Sequence, residues 1–340
     1  MNVARRRYYC KMLISRFWVR RIVKRFMTFA VLTLSLIIVG AVALAATGWF
    51  RRIIPFRGVA HEIAHPISPA RLKPDIHTMT DDRLSAAWIG HATLLINIRG
   101  KWILTDPAFS ERVGVETPWL GVVGQRRIIE PALSIGQLPK IDIIVITHAH
   151  MDHMDITTLR NLPKDATLLV PNGLEDLTAG LGFSKVEEIK WGEEKEIEGV
   201  KFYAFAARHW GERTPWEKKT RGYNSYIFSR GGKSMLFASD TSYTDVFGAV
   251  TKQRPVDVAV FNLGAYEPKW FRQAHSTSAE VWRMFKQTGA RTLLPIHWGT
   301  FIVSQETIDD PMLWLRAEAG AEFYDKVKIR YIGAVWREGE

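Results

Sequence analysis

The chain has 340 residues, 47% of them hydrophobic and 24% charged, a balance that excludes a disordered or low-complexity polypeptide and leaves enough apolar material for a sizeable core. The formal net charge of +11 would suggest a nucleic-acid partner, but twelve of the 46 basic residues and none of the 35 acidic ones fall within residues 1–57. The remainder is close to neutral, which argues against nucleic acid as a partner, and the single cysteine, Cys10, excludes an intrachain disulfide or a cysteine-based zinc site.

Residues 1–25 form a basic tail whose aromatic and aliphatic residues recur at helical spacing, suited either to an anionic lipid surface or to solvent. Residues 26–50 read as a membrane anchor. The uncharged apolar run 26–46 is about the length needed to cross a bilayer. Basic residues Arg20, Arg21, Lys24 and Arg25 precede it, and Trp49, Phe50, Arg51 and Arg52 follow as an interfacial collar. Ala43-Leu44-Ala45 resembles a cleavage site, but the basic region is longer than that of a signal peptide, so an uncleaved span is expected. More basic residues lie before the run than after it, which predicts a single-pass protein of the cell membrane with a cytoplasmic N-terminus and an extracytoplasmic body.

Residues 51–83, with prolines at 55, 66, 69 and 74, read as a linker that wraps onto the body. From 84 to 340 the pattern alternates strands and helices without a break, as in one α/β domain of two sheets flanked by helices. Strands are predicted at Ala86–Ile89, Thr93–Ile98, Trp102–Thr105, Ile141–Thr147, Thr167–Val170 and Lys201–Phe205. Further strands follow at Ser225–Phe228, Ser234–Ala238, Val256–Phe261, Thr292–Ile296, Lys328–Tyr331 and Ala334–Trp336. Helices are predicted at Leu174–Leu181, Tyr243–Thr251, Ser278–Thr288 and Gln305–Ala319.

The β-branched run IDIIVIT leads directly into His148-Ala149-His150-Met151-Asp152-His153. His148 and His150, two apart on a short extended segment, can reach one ion, while Asp152 and His153 turn toward a second. His209 would complete the first site, His297 the second, and Asp240 could bridge the two. Two ions so held can bind and activate a water.

These residues carry a resemblance to the metallo-β-lactamase superfamily: Asp106 in LTDP, then THAHMDH, then His209, Asp240 and His297, in that order. Within it, the stretches WIGHATLLI, ILTDPAFSERV, RHWGERT, ASDTSY, GAYEPKWF and PIHWGTF resemble the branch that hydrolyses N-acyl-phosphatidylethanolamine as a phospholipase D. The resemblance implies an αββα four-layer sandwich and two zinc or similar ions, one on His148, His150 and His209, the other on Asp152, His153 and His297, with Asp240 between them. It implies catalytic roles for Asp152, Asp240 and His275, with Asp106 supporting a ligand from behind. His91 either holds backbone near the site or acts directly. Trp210, Tyr266 and Trp298 either line an acyl-chain pocket or pack in the core, and Arg213 and Lys269 are either phosphate contacts or solvated charges. After His275 the chain departs from the family at Ser276-Thr277-Ser278.

The activity so implied is hydrolysis of a phospholipid phosphodiester at a membrane. A hydrolase of the same fold acting on a soluble lactone or cyclic phosphodiester, and a non-catalytic membrane protein with a structural metal site, are the two alternatives.

Overall fold

Along the central strands, successive side chains enter different cores, as the two-residue period of an extended chain requires. In one strand Leu94, Ile96 and Ile98 join a cluster shared by two sheets, while Leu95 faces the other way into a second cluster. The computed structural model describes residues 28–29, 32–35, 66–214, 217 and 220–340, and the described residues from 66 onward fall in one compact unit.

The body opens with β1 (Leu84–Gly90), β2 (Thr93–Ile98) and β3 (Lys101–Thr105), followed by a separate hairpin of β4 (Arg112–Thr117) and β5 (Gly121–Arg126). Then come β6 (Ile143–Val145), α1 (Ile156–Asn161), β7 (Thr167–Pro171), α2 (Glu175–Thr178) and β8 (Lys185–Ile189). The second half holds β9 (Glu194–Ile197), β10 (Val200–Phe205), β11 (Ser225–Arg230), β12 (Lys233–Phe237), α3 (Val246–Gln253) and β13 (Val258–Asn262). It ends with α4 (Ser278–Thr288), β14 (Thr292–Ile296), α5 (Asp310–Ala319), α6 (Phe323–Lys326) and β15 (Val335–Arg337).

The first sheet runs β15-β1-β2-β3-β6-β7-β8 and the second β14-β13-β12-β11-β10-β9. Residues of both, such as Trp88, Ile96 and Val145 with Phe202, Phe237 and Val260, make the core between them. The outer face of the first sheet packs around Leu159 of α1, and that of the second around Phe247 of α3, Val281 and Phe285 of α4 and Leu315 of α5. Helix, sheet, sheet and helix therefore stack as four layers.

Helix α4 shows how the sequence sets an element. Val281, Met284, Phe285 and Thr288 are buried at helical spacing, Thr277 and Glu280 form a capping box, and Gly289 ends the helix at φ 71°. The Ser276-Thr277-Ser278 departure supplies this cap, and Ser276 Oγ also donates to Thr241 O at 2.8 Å.

Strands β3, β6 and β7 pair in parallel, as do β12, β13 and β14, so several C-terminal strand ends gather along one edge of the sandwich. Loops at such ends are free to carry chemistry.

Three expectations change. Residues 328–331 are not a strand; Val327 makes an isolated bridge to Leu293, and Ile329 sits at φ 54°, which breaks extended pairing. The β4–β5 hairpin and strands β8 and β9 were not anticipated; β8 and β9 are short and largely polar, so they carry no apolar run. Most of residues 1–65, including the expected tail, most of the anchor and His61 and His65, lies outside the described residues. Among those described, no helix is long and apolar enough to cross a membrane. The longest helix of the body, α4, has 11 residues, about half of what a span requires. The expected single-pass localisation is therefore withdrawn.

Candidate metal centre

Each chemical side chain of the site follows the end of a strand. Asp106 follows β3, the His148–His153 loop follows β6, His209 follows β10, Asp240 follows β12 and His297 follows β14. Backbone strain gathers at the same place: His91, Asp106, Ser239, Ala265 and His297 have φ of 47°, 35°, 61°, 58° and 69°. Such conformations cost on the order of 1–3 kcal/mol each and persist where surrounding structure imposes them.

Ligand atoms fall into two groups, each with its members within 4.8 Å of one another: His148, His150, His209 and Asp240, and His91, Asp152, His153 and His297. In the first group His148 Nε2 and His150 Nδ1 face each other at 2.9 Å, and His209 Nε2 is 3.3 Å from the same His150 nitrogen. His209 Nδ1 lies 3.1 Å from Ala274 O, which makes Nδ1 the donor and leaves the Nε2 lone pair aimed inward. In the second group His153 Nε2 is 3.1 Å from His297 Nε2, and His91 Nε2 is 2.8 Å from Asp152 Oδ2.

Asp240 reaches both groups. Its Oδ2 lies 3.9 and 3.8 Å from His148 and His209 and 3.2 Å from His153, and its Oδ1 lies 3.4 Å from His297. Asn262 Nδ2 donates to Asp240 Oδ1 at 2.5 Å and holds the carboxylate in place.

Burial lowers the pKa of His148 and His209 well below the usual imidazole value, and that of His91 to about 3. Burial opposes ionisation of Asp240, but His297 and His153 hold it well below the carboxylate range; His153 does the same for Asp152. Against its burial, Asp240, Asp152 and Asp106 hold His153 well above the imidazole range, so an ion there would take the place of its proton; the neutral imidazoles of His148 and His209 beside ionised carboxylates are already in the states that bind a divalent ion. Lone pairs converging at these distances, out of water, fit two first-row cations better than they fit one another.

The loop bearing four of these residues is strapped from outside. Arg213 Nη1 donates to Ala149 O at 2.9 Å and Met154 O at 2.8 Å, and Asp155 caps α1 through Thr158 N.

A cleft of about 410 Å³ opens over the centre, bordered by His150, Asp152, Asp240, His275 and His297. Val113, Gly114, Val123, Gly124 and Gln125 of the hairpin also line it, as do Phe271 and Val303.

The β-lactamase superfamily domain model matches residues 101–298, a stretch that holds every member of the two ligand groups except His91. The chain belongs to this superfamily. As a member carrying two candidate metal groups, it is a metal-dependent hydrolase. It is similar to N-acyl-phosphatidylethanolamine-hydrolyzing phospholipase D 1 of Caenorhabditis elegans, 29% identical over 272 residues that cover 72% of this chain and 75% of that protein. It is also similar to the mitochondrial protein of the same activity name from Saccharomyces cerevisiae, 32% identical over 235 residues, covering 66% of this chain and about half, 49%, of the yeast protein. The fold matches the crystal structure of isothiocyanate hydrolase from Delia radicum gut bacteria with a TM-score of 0.60, at 19% identity, over 74% of this chain and 98% of that one.

The superfamily member's expected residues do not all meet in the cleft. His275 lines it, and its ring centre is 5.3 Å from that of His209. His91 sits inside the second group, buried against His297 with ring centres 4.0 Å apart. Trp210 stacks on His209 at 4.9 Å and is half exposed. Tyr266 is fully buried and stacks on Trp314. Trp298 packs against Trp88. Neither Tyr266 nor Trp298 borders the cleft, so core packing accounts for both. Arg213 also borders the cleft, and its Nη1 donates to two loop carbonyls. Asn262 and the hairpin were missed; a polar residue closing the apolar run VAVFN was the available signal for the former.

Proposed function

We propose that this protein is a two-zinc phosphodiesterase that hydrolyses a phospholipid, N-acyl-phosphatidylethanolamine or a near relative, to phosphatidic acid and the headgroup alcohol. One zinc would sit on His148, His150 and His209, the other on Asp152, His153 and His297. The observation that carries this reading is Asp240, a single carboxylate within 3.9 Å of imidazoles from both groups. The similarity to two phospholipases D of this substrate class supports the choice of lipid.

Two such ions supply Lewis acidity toward phosphoryl oxygens and lower the pKa of a water. The chain's own residues prepare the site. Asp106 and the Ala274 carbonyl orient His153 and His209 through Nδ1. Asp240, steadied by Asn262, keeps negative charge between the two groups. Burial brings His275 down to about 4, so a neutral ring faces the cleft at neutral pH. Its N–H can hydrogen-bond to the departing headgroup oxygen without adding charge, while the proton that makes that oxygen an alcohol comes from the water consumed. The apolar walls Val113, Val123, Phe271 and Val303 suit acyl chains and limit water.

The test is incubation of purified protein with N-acyl- and ordinary phosphatidylethanolamine in oxygen-18 water, with and without chelator, alongside metal analysis. Labelled phosphatidic acid, lost with chelation, and about two zinc ions per chain are expected. Free fatty acid would mean a different bond is cut. Turnover of a soluble lactone or cyclic phosphodiester with neither lipid consumed would replace the substrate, and an active, metal-free protein would end the reading.

A further inference from the structure

Both walls of the cleft end in exposed tryptophan. On one side the hairpin runs outward from the cleft-lining Gly114 and Gly124 to its turn, and residues 117–125, TPWLGVVGQ, carry no charge. Trp119 is 92% and Leu120 78% exposed, the most exposed large apolar residues of the described body. On the other side Phe271 borders the cleft while its neighbour Trp270 is 62% exposed.

The tip is held in this exposed state. Thr117 Oγ1 donates to Gly121 O at 2.9 Å and accepts from Leu120 N at 3.1 Å. Just before the turn, Glu116 takes Arg160 Nη1 on both oxygens, at 2.6 and 2.7 Å, and Thr157 Oγ1 at 2.9 Å. An ordered, uncharged tip bearing Trp and Leu in water implies a partner that covers it.

Charge selects the partner. Three acidic residues beside these elements are paired with arginines: Glu111 with Arg126, Glu116 with Arg160 and Glu267 with Arg272. Lys269, exposed, adds positive charge beside Trp270. An uncharged tip bearing tryptophan, beside a second tryptophan flanked by a lysine, is a combination that settles at the headgroup level of a bilayer.

We propose that the β4–β5 tip, with Trp270, is a docking rim that sets the open cleft against a phospholipid surface, Trp119 and Leu120 entering the interfacial layer. The occupant rests on the phospholipid reading of the site, and the docking requires no spanning helix. A lipid could then reach the centre between apolar walls without its chains crossing water.

The experiment uses the full chain with Cys10→Ser, labelled with an environment-sensitive fluorophore at Leu120→Cys or, as a control, at Tyr324→Cys, which is 58% exposed on α6. With phosphatidylcholine vesicles containing phosphatidylglycerol, the label at 120 should shift to the blue and be quenched by brominated chains, while that at 324 stays unchanged. A label at 120 that stays in water, a shift at both positions alike, or a shift on concentrating the protein without lipid would overturn the proposal. The last result would mean that a second copy covers the tip. The double variant Trp119→Ser/Leu120→Ser should lower hydrolysis of vesicle lipid about tenfold, with the rate on a short-chain, monomeric phospholipid unchanged. Equal loss on both substrates counts against docking. Cleavage of the monomeric lipid checks the functional reading separately. A chain that cleaves no phospholipid while its label at 120 inserts would lose that reading and keep the rim.

Discussion

Asp106 Oδ2 lies 2.8 Å from His153 Nδ1, with both side chains fully buried. The same carboxylate accepts from Thr147 N at 2.8 Å and Thr147 Oγ1 at 2.7 Å, so it joins the end of β3 to the start of the metal loop. Burial pushes the Asp106 pKa up while His153 pulls it down; the balance is a raised value. The carboxylate thereby orients the imidazole, turning Nε2 toward the ligand group.

Asp106→Asn keeps the shape but exchanges the oxygen facing Nδ1 for a weaker acceptor or a competing donor. Loss of such support typically costs 10–100-fold in metal affinity. We expect about that loss, with one ion per chain released before the other during titration with a competing chelator. Simultaneous, unweakened retention of both ions would show that Asp106 only terminates β3.

Asn262→Ala removes the hydrogen bond to Asp240 Oδ1 without touching any candidate ligand. The expected result is a fall in kcat of about tenfold or more, by analogy with other residues that orient ligands, with metal content nearly unchanged. Asp240→Ala should be more severe, abolishing activity and weakening retention of at least one ion. If Asn262→Ala turns over like the parent protein, Asp240 needs no such support.

Arg213→Ala should act on stability. Hydrogen bonds from a charged donor to carbonyls are each worth about 1.5–3 kcal/mol, and in a domain of this size about 2 kcal/mol moves Tm by about 4–8 °C. We expect a lower Tm, with Arg213→Lys restoring only part of it, because an ammonium lacks the guanidinium's fork. A raised KM for phospholipid at unchanged Tm would instead make Arg213 a phosphate contact.

Gly124→Ala tests the hairpin wall. Gly114 and Gly124 face each other in register, and a Cβ on Gly124 would lie 2.0 Å from the Val113 carbonyl oxygen. Backbone must move to admit it, so the strands should separate beside the cleft. KM should rise while both ions are retained; kinetics identical to the parent's would show that the wall is not used.

The ligand types, their order and their strand-end positions were legible in the sequence, because each is a local pattern. An apolar run that ends in H-x-H-x-D-H is read along a single strand and its loop. The α4 core face and its cap were legible for the same reason. Contacts across the fold were not. Asp106 meets His153 across 47 positions, and His91 meets Asp152 across 61. Sheet order and register decide those meetings, and neither is written in local periodicity. Tyr266 and Trp298 look like Trp210 as aromatic residues beside histidines or site loops, yet packing buries the first against Trp314 and sets the second on Trp88, away from the cleft. Arg213 reads as a free cation until the loop carbonyls fold beneath it. The sequence by itself determined which groups can bind metal, since that is a property of side-chain chemistry. Only the tertiary structure decided which of them face one another and what walls the cleft, because distance in space follows from how the two sheets pair and pack.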